Sequence, residues 1–205
     1  MNIASLKQFV KTTCHGRDVS HGYKHMKCVY KNACKIMNMM SVNDNRIVNL
    51  VTYSAWLHDV ADHKYDHDGK LKLQVIEFLK NELEDDVQLV VDIIDRISFS
   101  KENECRLSGR ELDWNVVLGD IGCQARDIVS DADKLEAIGK IGVDRCVQYI
   151  YHKNPNVTRD ELKKLVEEHA EEKLYLLSQQ FIRTNAGQEL AKPLHDEMVE
   201  LISQL

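Results

Sequence analysis

Helix breakers are scarce in this chain: two prolines, Pro155 and Pro193, and nine glycines are spread over 205 residues. Proline removes a backbone donor and clashes with the preceding turn, so its near absence lets a 3.6-residue apolar period run on uninterrupted. An all-α protein is the expectation. With 43% hydrophobic and 29% charged residues, a chain of this length can bury one good core and is short for two. We therefore expect a single domain over 1–205, with its core at about 18–150 and C-terminal helices over 158–205 packed on it. No run approaches the roughly 18 apolar residues that span a bilayer, and Met1-Asn2-Ile3-Ala4-Ser5-Leu6-Lys7 lacks a secretory apolar core, so no membrane partner and a cytoplasmic location are expected. The net charge of −6 argues against a nucleic acid polymer, whose phosphates need clustered Lys and Arg. A small anion held by a few local cations is compatible with it.

The periodicity predicts a short amphipathic helix over 3–12, a polar link from Thr13 to Ser20, and a helix from about Tyr23 to Met40 with Val29, Ala33, Ile36, Met37 and Met40 on one face. His25 falls four residues before Val29 and shares that face. The next helix opens near Asn43-Asp44 and buries Ile47, Leu50, Val51, Ser54 and Ala55. Helices follow at about 71–82 and 85–97, the second with Val87, Val90, Val91, Ile94 and Ile97 on a stripe. From Ser98 to about Arg110 the sequence is polar and reads as the longest loop, and 111–123 fits neither a strand nor a helix pattern clearly. A helix carrying Asp131 and Asp133 then runs from about Ala125 to Ile138, with Gly139 and Gly142 allowing close packing or a bend before Val143–Ile150. Asn154-Pro155 ends that segment, and Thr158-x-x-Glu161 is a capping box for a helix reaching Ile182, with Leu162, Leu165, Val166, Ala170, Leu174 and Leu177 inward. The last helix, about 186–204, uses Leu190, Leu194, Met198 and Leu201.

Against this helical background, Ala55-Trp56-Leu57-His58-Asp59-Val60-Ala61-Asp62 concentrates metal-seeking groups at the end of an apolar helix. Helical counting turns His58 inward, sets Asp59 beside it and puts Asp62 on the same side. A lone histidine on an apolar face is more often a hydrogen-bonded core residue than a ligand. His25, His58, Asp59 and the Asp131/Asp133 pair together are different, because burying several acids and imidazoles without a cation is costly. Imidazole plus carboxylate suits one divalent ion of borderline or hard character, Mn, Co, Mg, Ni or Fe. Two positions left free on such an ion would take a water and a substrate oxygen, the requirement for phosphoryl hydrolysis. Asp62 could orient or deprotonate that water, or could equally be a partner for an N–H group or a lysine. The six cysteines, at 14, 28, 34, 105, 123 and 146, contain no Cys-x-x-Cys and read as reduced core residues.

Several of these segments, in order over roughly 18–200, resemble the HD-domain metal-dependent phosphohydrolases, and within them the small bacterial YpgQ-like subgroup associated with nucleoside triphosphate pyrophosphatase activity. The matching pieces are His21-x-x-x-His25-x-x-x-Val29, Ala55-x-Leu57-His58-Asp59-Val60-Ala61-Asp62-x-Lys64 and Ile93-Ile94-x-x-Ile97-Ser98-Phe99. Asp131-Ala132-Asp133-Lys134-Leu135-Glu136-Ala137-Ile138-Gly139-x-Ile141-Gly142-x-x-Arg145, His169-x-x-Glu172-Lys173-Leu174 and Thr184-x-x-Gly187-x-x-Leu190-Ala191-x-x-x-His195 complete the set. The resemblance implies a single HD-type helical bundle with His25, His58, Asp59 and Asp133 on the metal and Asp131 one layer behind, the two aspartates being only two residues apart. It also matches Lys64, Arg96, Lys134 and Arg145 to positions suited to phosphate contact, each of which could instead be in an ion pair, and Asp62 and His21 are the candidate catalytic residues. Cys28 and Leu194 stand where the subgroup usually carries charge, and 102–123 is longer and more apolar than the connection expected there.

The function expected is hydrolysis of a (deoxy)nucleoside triphosphate to monophosphate and pyrophosphate, with a homodimer among the assemblies compatible with it. A 5′-nucleotidase or phosphomonoesterase on the same site is the neighbouring alternative, and a nucleotide-binding module without turnover is a more distant one. A dinuclear centre would need more imidazoles between the central pair and the last aspartate, and residues 68–130 contain no histidine.

Overall fold

Every regular element among the described residues, 2–18, 21–109 and 113–205 of this computed structural model, is a helix. The chain groups into two compact units, Met1–Ala132 and Asp133–Leu205.

The first unit is built around helix α3 (Asn45–Leu57), whose residues from Leu50 to Leu57 are all buried. Its start is fixed by Asp44, whose carboxylate accepts from the main-chain N–H groups of Arg46 and Ile47, satisfying donors that have no partner in the first turn. Helix α1 (Ile3–Thr13) covers it with Leu6 and Val10, and α2 (Tyr23–Met39) lies against it through Met26, Val29, Ala33 and Ile36. Met40, expected on that stripe, is exposed because the helix ends just before it. Helices α4 (Lys70–Glu82) and α5 (Val87–Ile94) lie where expected, but α5 stops at Ile94 and is placed on α3 by Val90, Val91 and Ile93, with Val87 and Ile94 only half-buried.

The expected loop after Ser98 is instead helix α6 (Phe99–Leu107). Apolar periodicity could not reveal it, because its one buried residue is Glu102, held by an ion pair to the fully buried Arg126. The unassigned stretch also proves helical from Asn115 onward, in α7 (Asn115–Ala137), with Arg110–Leu112 outside the described residues. Gly119 interrupts α7 with φ 61 and ψ 176, a conformation open to glycine and strained for other residues. That break is why the segment lacks a continuous helical period.

The division between the units falls within α7. In the second unit, α8 (Gly139–Lys153) starts at a left-handed glycine, Gly139, and a side chain on Gly142 would come within 2.4 Å of the carbonyl oxygen of Ala137. The capping box of Thr158 and Glu161 opens α9 (Arg159–His169), and a π-helical turn (Ala170–Leu174) joins it to α10 (Tyr175–Gln180). Leu165 is exposed rather than inward. In α11 (Asn185–Ser203) the buried stripe is Ala186, Gly187, Ala191, Met198 and Ile202, rotated from the leucines expected there. Small residues let this helix approach α8 closely, and Glu197 accepts from the main-chain N–H of Lys140 at 2.9 Å, serving the amide-rich start of α8. No helix among the described residues is long and apolar enough to cross a membrane.

Candidate metal centre

Helix α2 contributes His25 from its buried face, and α3 ends at Leu57 so that His58 is its C-cap. Both rings are buried. His58 Nδ1 lies 3.1 Å from the carbonyl oxygen of Ala55. A carbonyl can only accept, so Nδ1 carries the proton and Nε2 offers a lone pair. That Nε2 is 3.2 Å from Nε2 of His25. Asp59 Oδ2 completes a triangle, 3.4 Å from His25 Nε2 and 3.5 Å from His58 Nε2. Asp133 follows Ala132 on the same helix, α7, and the Asn32 amide on α2 donates to the carbonyl of Ala132 at 3.3 Å.

The spacing allows a direct test of fit. Ligand atoms about 2.1 Å from a metal stand roughly 3.0 Å apart at right angles and roughly 3.4 Å apart at tetrahedral angles. The triangle of two nitrogens and an oxygen at 3.2–3.5 Å falls at these values, and imidazole and carboxylate are the donors that a borderline or hard divalent ion takes. Asp131 is fully buried two residues before Asp133.

The remaining candidates are distributed differently. Asp62 was expected one helical turn past His58, but α3 has already ended and the chain continues in tight turns, Val60 N–H to Leu57 O and Asp62 N–H to Asp59 O. The Asp62 carboxylate accepts from the main-chain N–H of Lys64 at 2.9 Å and lies 3.6 Å from His63 Nδ1. His21 faces Asp18 through Nδ1 at 3.2 Å and Lys64 Nζ through Nε2 at 3.1 Å. Arg96 donates to the carbonyl and carboxylate of Asp92 in its own helical turn, and Arg145 pairs with Glu136 at 3.0 Å, so these two guanidinium groups occupy the ion-pair alternative. Lys134 is buried, at 1% exposure.

Two further residues had no sequence signal. Arg17 donates to the carbonyls of Asp59 and Val60 at 2.8 and 2.7 Å and stacks 4.2 Å from the ring centre of Tyr65. Tyr65 donates its hydroxyl to Asp18 at 2.5 Å, and this bond to a carboxylate pushes the phenol up to about 12. Only the closeness of Arg17 and Asp18 to His21 in the sequence could have hinted at such a cluster. Cys14, nearby, is a buried free thiol whose pKa is raised chiefly by burial, consistent with an inert core residue.

No family model matches the sequence. A solved structure described as an HD-superfamily hydrolase from Bacillus thuringiensis is similar over 98% of this chain and 93% of its own, with a TM-score of 0.64 and 25% identity. The chain has the HD-domain fold. A Lactobacillus plantarum structure aligns over 98% of the HD-domain chain and 93% of its own at TM-score 0.71 and 25% identity. Bacillus subtilis YpgQ in complex with ADP aligns over 98% and 91% at TM-score 0.65 and 21% identity, so the fold is YpgQ-like. In sequence, protein L803 of Acanthamoeba polyphaga mimivirus is 29% identical over 146 residues, 64% of this chain and 54% of the relative. The HD-domain chain thus spans about half the length of that relative. Likeness to an HD-superfamily hydrolase and the triangle of His25, His58 and Asp59 together support a metal-dependent phosphohydrolase.

Proposed function

We propose that the protein is a metal-dependent phosphohydrolase that converts (deoxy)nucleoside triphosphates to the monophosphate and pyrophosphate, with His25, His58, Asp59 and Asp133 as ligands of one divalent ion and Asp131 behind them. The observation that carries this is the triangle of His25 Nε2, His58 Nε2 and Asp59 Oδ2 at 3.2–3.5 Å. The ion bound there would supply Lewis acidity to a phosphoryl oxygen and lower the pKa of a water. The Ala55 carbonyl keeps His58 in the tautomer that binds. Asp62 accepts the proton of the attacking water as its oxygen bonds to the innermost phosphorus and the bond to the pyrophosphate oxygen breaks. His21, its Nδ1 facing the Asp18 carboxylate, holds Lys64 at its Nε2, and the two meet the charge that develops on the leaving group. Lys134 adds a cation of fixed position, and Arg96 and Arg145 would have to exchange their present carboxylate partners for phosphate. The nucleotide as ligand draws support from the ADP complex of YpgQ, a protein of the same fold.

The commitment of Arg96 and Arg145 to Asp92 and Glu136 favours a second reading, a 5′-nucleotidase or phosphomonoesterase, which needs fewer cations. A panel of nucleoside mono-, di- and triphosphates assayed with Mn, Co and Mg, with phosphate and pyrophosphate resolved, separates the two. Metal-dependent pyrophosphate release, lost in His58→Ala, supports the pyrophosphatase reading. A monophosphate as best substrate supports the nucleotidase, and no metal-dependent turnover of any nucleotide overturns both.

A further inference from the structure

The chain leaves α3 at Leu57, so His58, Asp59 and Val60 stand on a turn and not within a helix. A helical ladder would orient their peptide planes through successive hydrogen bonds. His58 N–H still bonds to Ser54 O at 2.9 Å, but beyond it the bonds that close the turn are the short-range pairs from Val60 to Leu57 and from Asp62 to Asp59, which constrain it less. Arg17, more than 40 residues earlier, supplies the missing restraint: Nη1 donates to Asp59 O at 2.8 Å and Nη2 to Val60 O at 2.7 Å. Because guanidinium is planar and its two terminal nitrogens are fixed relative to each other, gripping two successive carbonyls sets the orientation of both peptide planes. The first of those planes begins at the Asp59 Cα, the atom from which the carboxylate side chain departs, so the direction of that side chain is constrained with the plane. The guanidinium plane is in turn held against Tyr65, 4.2 Å from the ring centre, and the Tyr65 hydroxyl is anchored on Asp18 at 2.5 Å. Link and turn are thereby clasped together from both sides.

We infer that Arg17 is a positioning residue for the metal centre: it never touches the ion, and it aims Asp59 at the two histidine nitrogens by holding the turn through its main chain. The inference rests on the proposed metal centre. Lysine cannot substitute fully, since a single ammonium does not present two coplanar donors to two carbonyls. Residues that orient metal ligands in other proteins alter affinity by about 10- to 100-fold when removed, and that range is expected for Arg17→Ala.

The test is Mn(II) binding by titration calorimetry together with the visible spectrum of bound Co(II), which reports ligand geometry independently of turnover. Arg46→Ala, which breaks the Arg46–Asp86 ion pair elsewhere on the surface, is the control for general loss of stability. Arg17→Ala is expected to weaken Mn(II) binding about 10- to 100-fold with an altered Co(II) spectrum, Arg17→Lys to fall between, and Arg46→Ala to match wild type in both. Should Arg17→Ala fail to fold, Arg17→Lys decides the matter. Arg17 variants that bind Mn(II) within twofold of a metal-binding wild type, with an unchanged Co(II) spectrum, overturn this inference alone. A wild type that binds no metal overturns the metal-centre reading and this inference with it.

Discussion

Replacing Asp59 by alanine should remove most of the metal-induced stabilisation while leaving the metal-free fold almost untouched, and the size of the effect can be worked out. The Asp59 carboxylate is 22% exposed and lies 3.4 and 3.5 Å from the two histidine nitrogens. The turn around it is held by its main-chain carbonyl, which Arg17 and the Asp62 N–H engage, so losing the side chain does not release the backbone. Metal-free stability should therefore change by no more than about 0.5 kcal/mol. A wild-type protein at a Mn(II) concentration 100 times its Kd gains about 2.7 kcal/mol. For a chain of this size each kcal/mol moves Tm by roughly 2–4 °C, giving a rise of roughly 5–11 °C. If the lost ligand weakens binding about 100-fold, the same Mn(II) concentration only matches the new Kd, and the gain falls to about 0.4 kcal/mol, or roughly 1–2 °C. Thermal unfolding followed by circular dichroism, with chelator and with Mn(II), reads both quantities. An Asp59→Ala protein that gains as much from Mn(II) as wild type would refute the reasoning.

Of the two aspartates on α7, Asp133→Asn should lose bound metal by elemental analysis while Asp131→Asn retains it; the opposite pattern would shift the ligand by two residues. Glu102→Ala should cost about 3 kcal/mol in chemical denaturation, because it leaves the buried Arg126 short of its partner, with Asp127 at 2.8 Å as partial compensation; a loss under about 0.5 kcal/mol would contradict the role given to that pair. His169 has a pKa lowered mainly by burial. The unfolded chain therefore takes up a proton that the folded chain resists, and stability should fall as pH drops below the ordinary histidine value of about 6.5. His169→Gln should flatten that part of the stability profile, and an unchanged slope would rule the residue out as its source.

Much of the frame was readable because local rules and tertiary packing agree where they meet. The Asp44 cap, the Thr158/Glu161 capping box and the burial of His25 four residues before Val29 all follow from short-range spacing, and the structure has them. Helix α6 was not readable, because a segment whose buried residue is Glu102 carries no apolar stripe. The start of α7 was hidden by Gly119, where one non-helical residue shifts the phase of everything before it. Asp62 was assigned a helical face on the assumption that α3 continued, whereas the helix stops at Leu57. Arg17 could not be found by periodicity at all, since its partners lie 42 and 43 residues away and are backbone carbonyls, which leave no trace in residue type. The convergence of His25, His58 and Asp59 was approachable only as a set, each member being an ordinary residue taken alone.

The most direct test follows oxygen. Incubating the protein with a nucleoside triphosphate and Mn(II) in water enriched in oxygen-18, and resolving the products by phosphorus NMR, identifies both the bond that breaks and the atom attacked. The account predicts labelled nucleoside monophosphate and unlabelled pyrophosphate, with no reaction in chelator. Label appearing in orthophosphate, or consumption of the triphosphate that persists without metal, would contradict it.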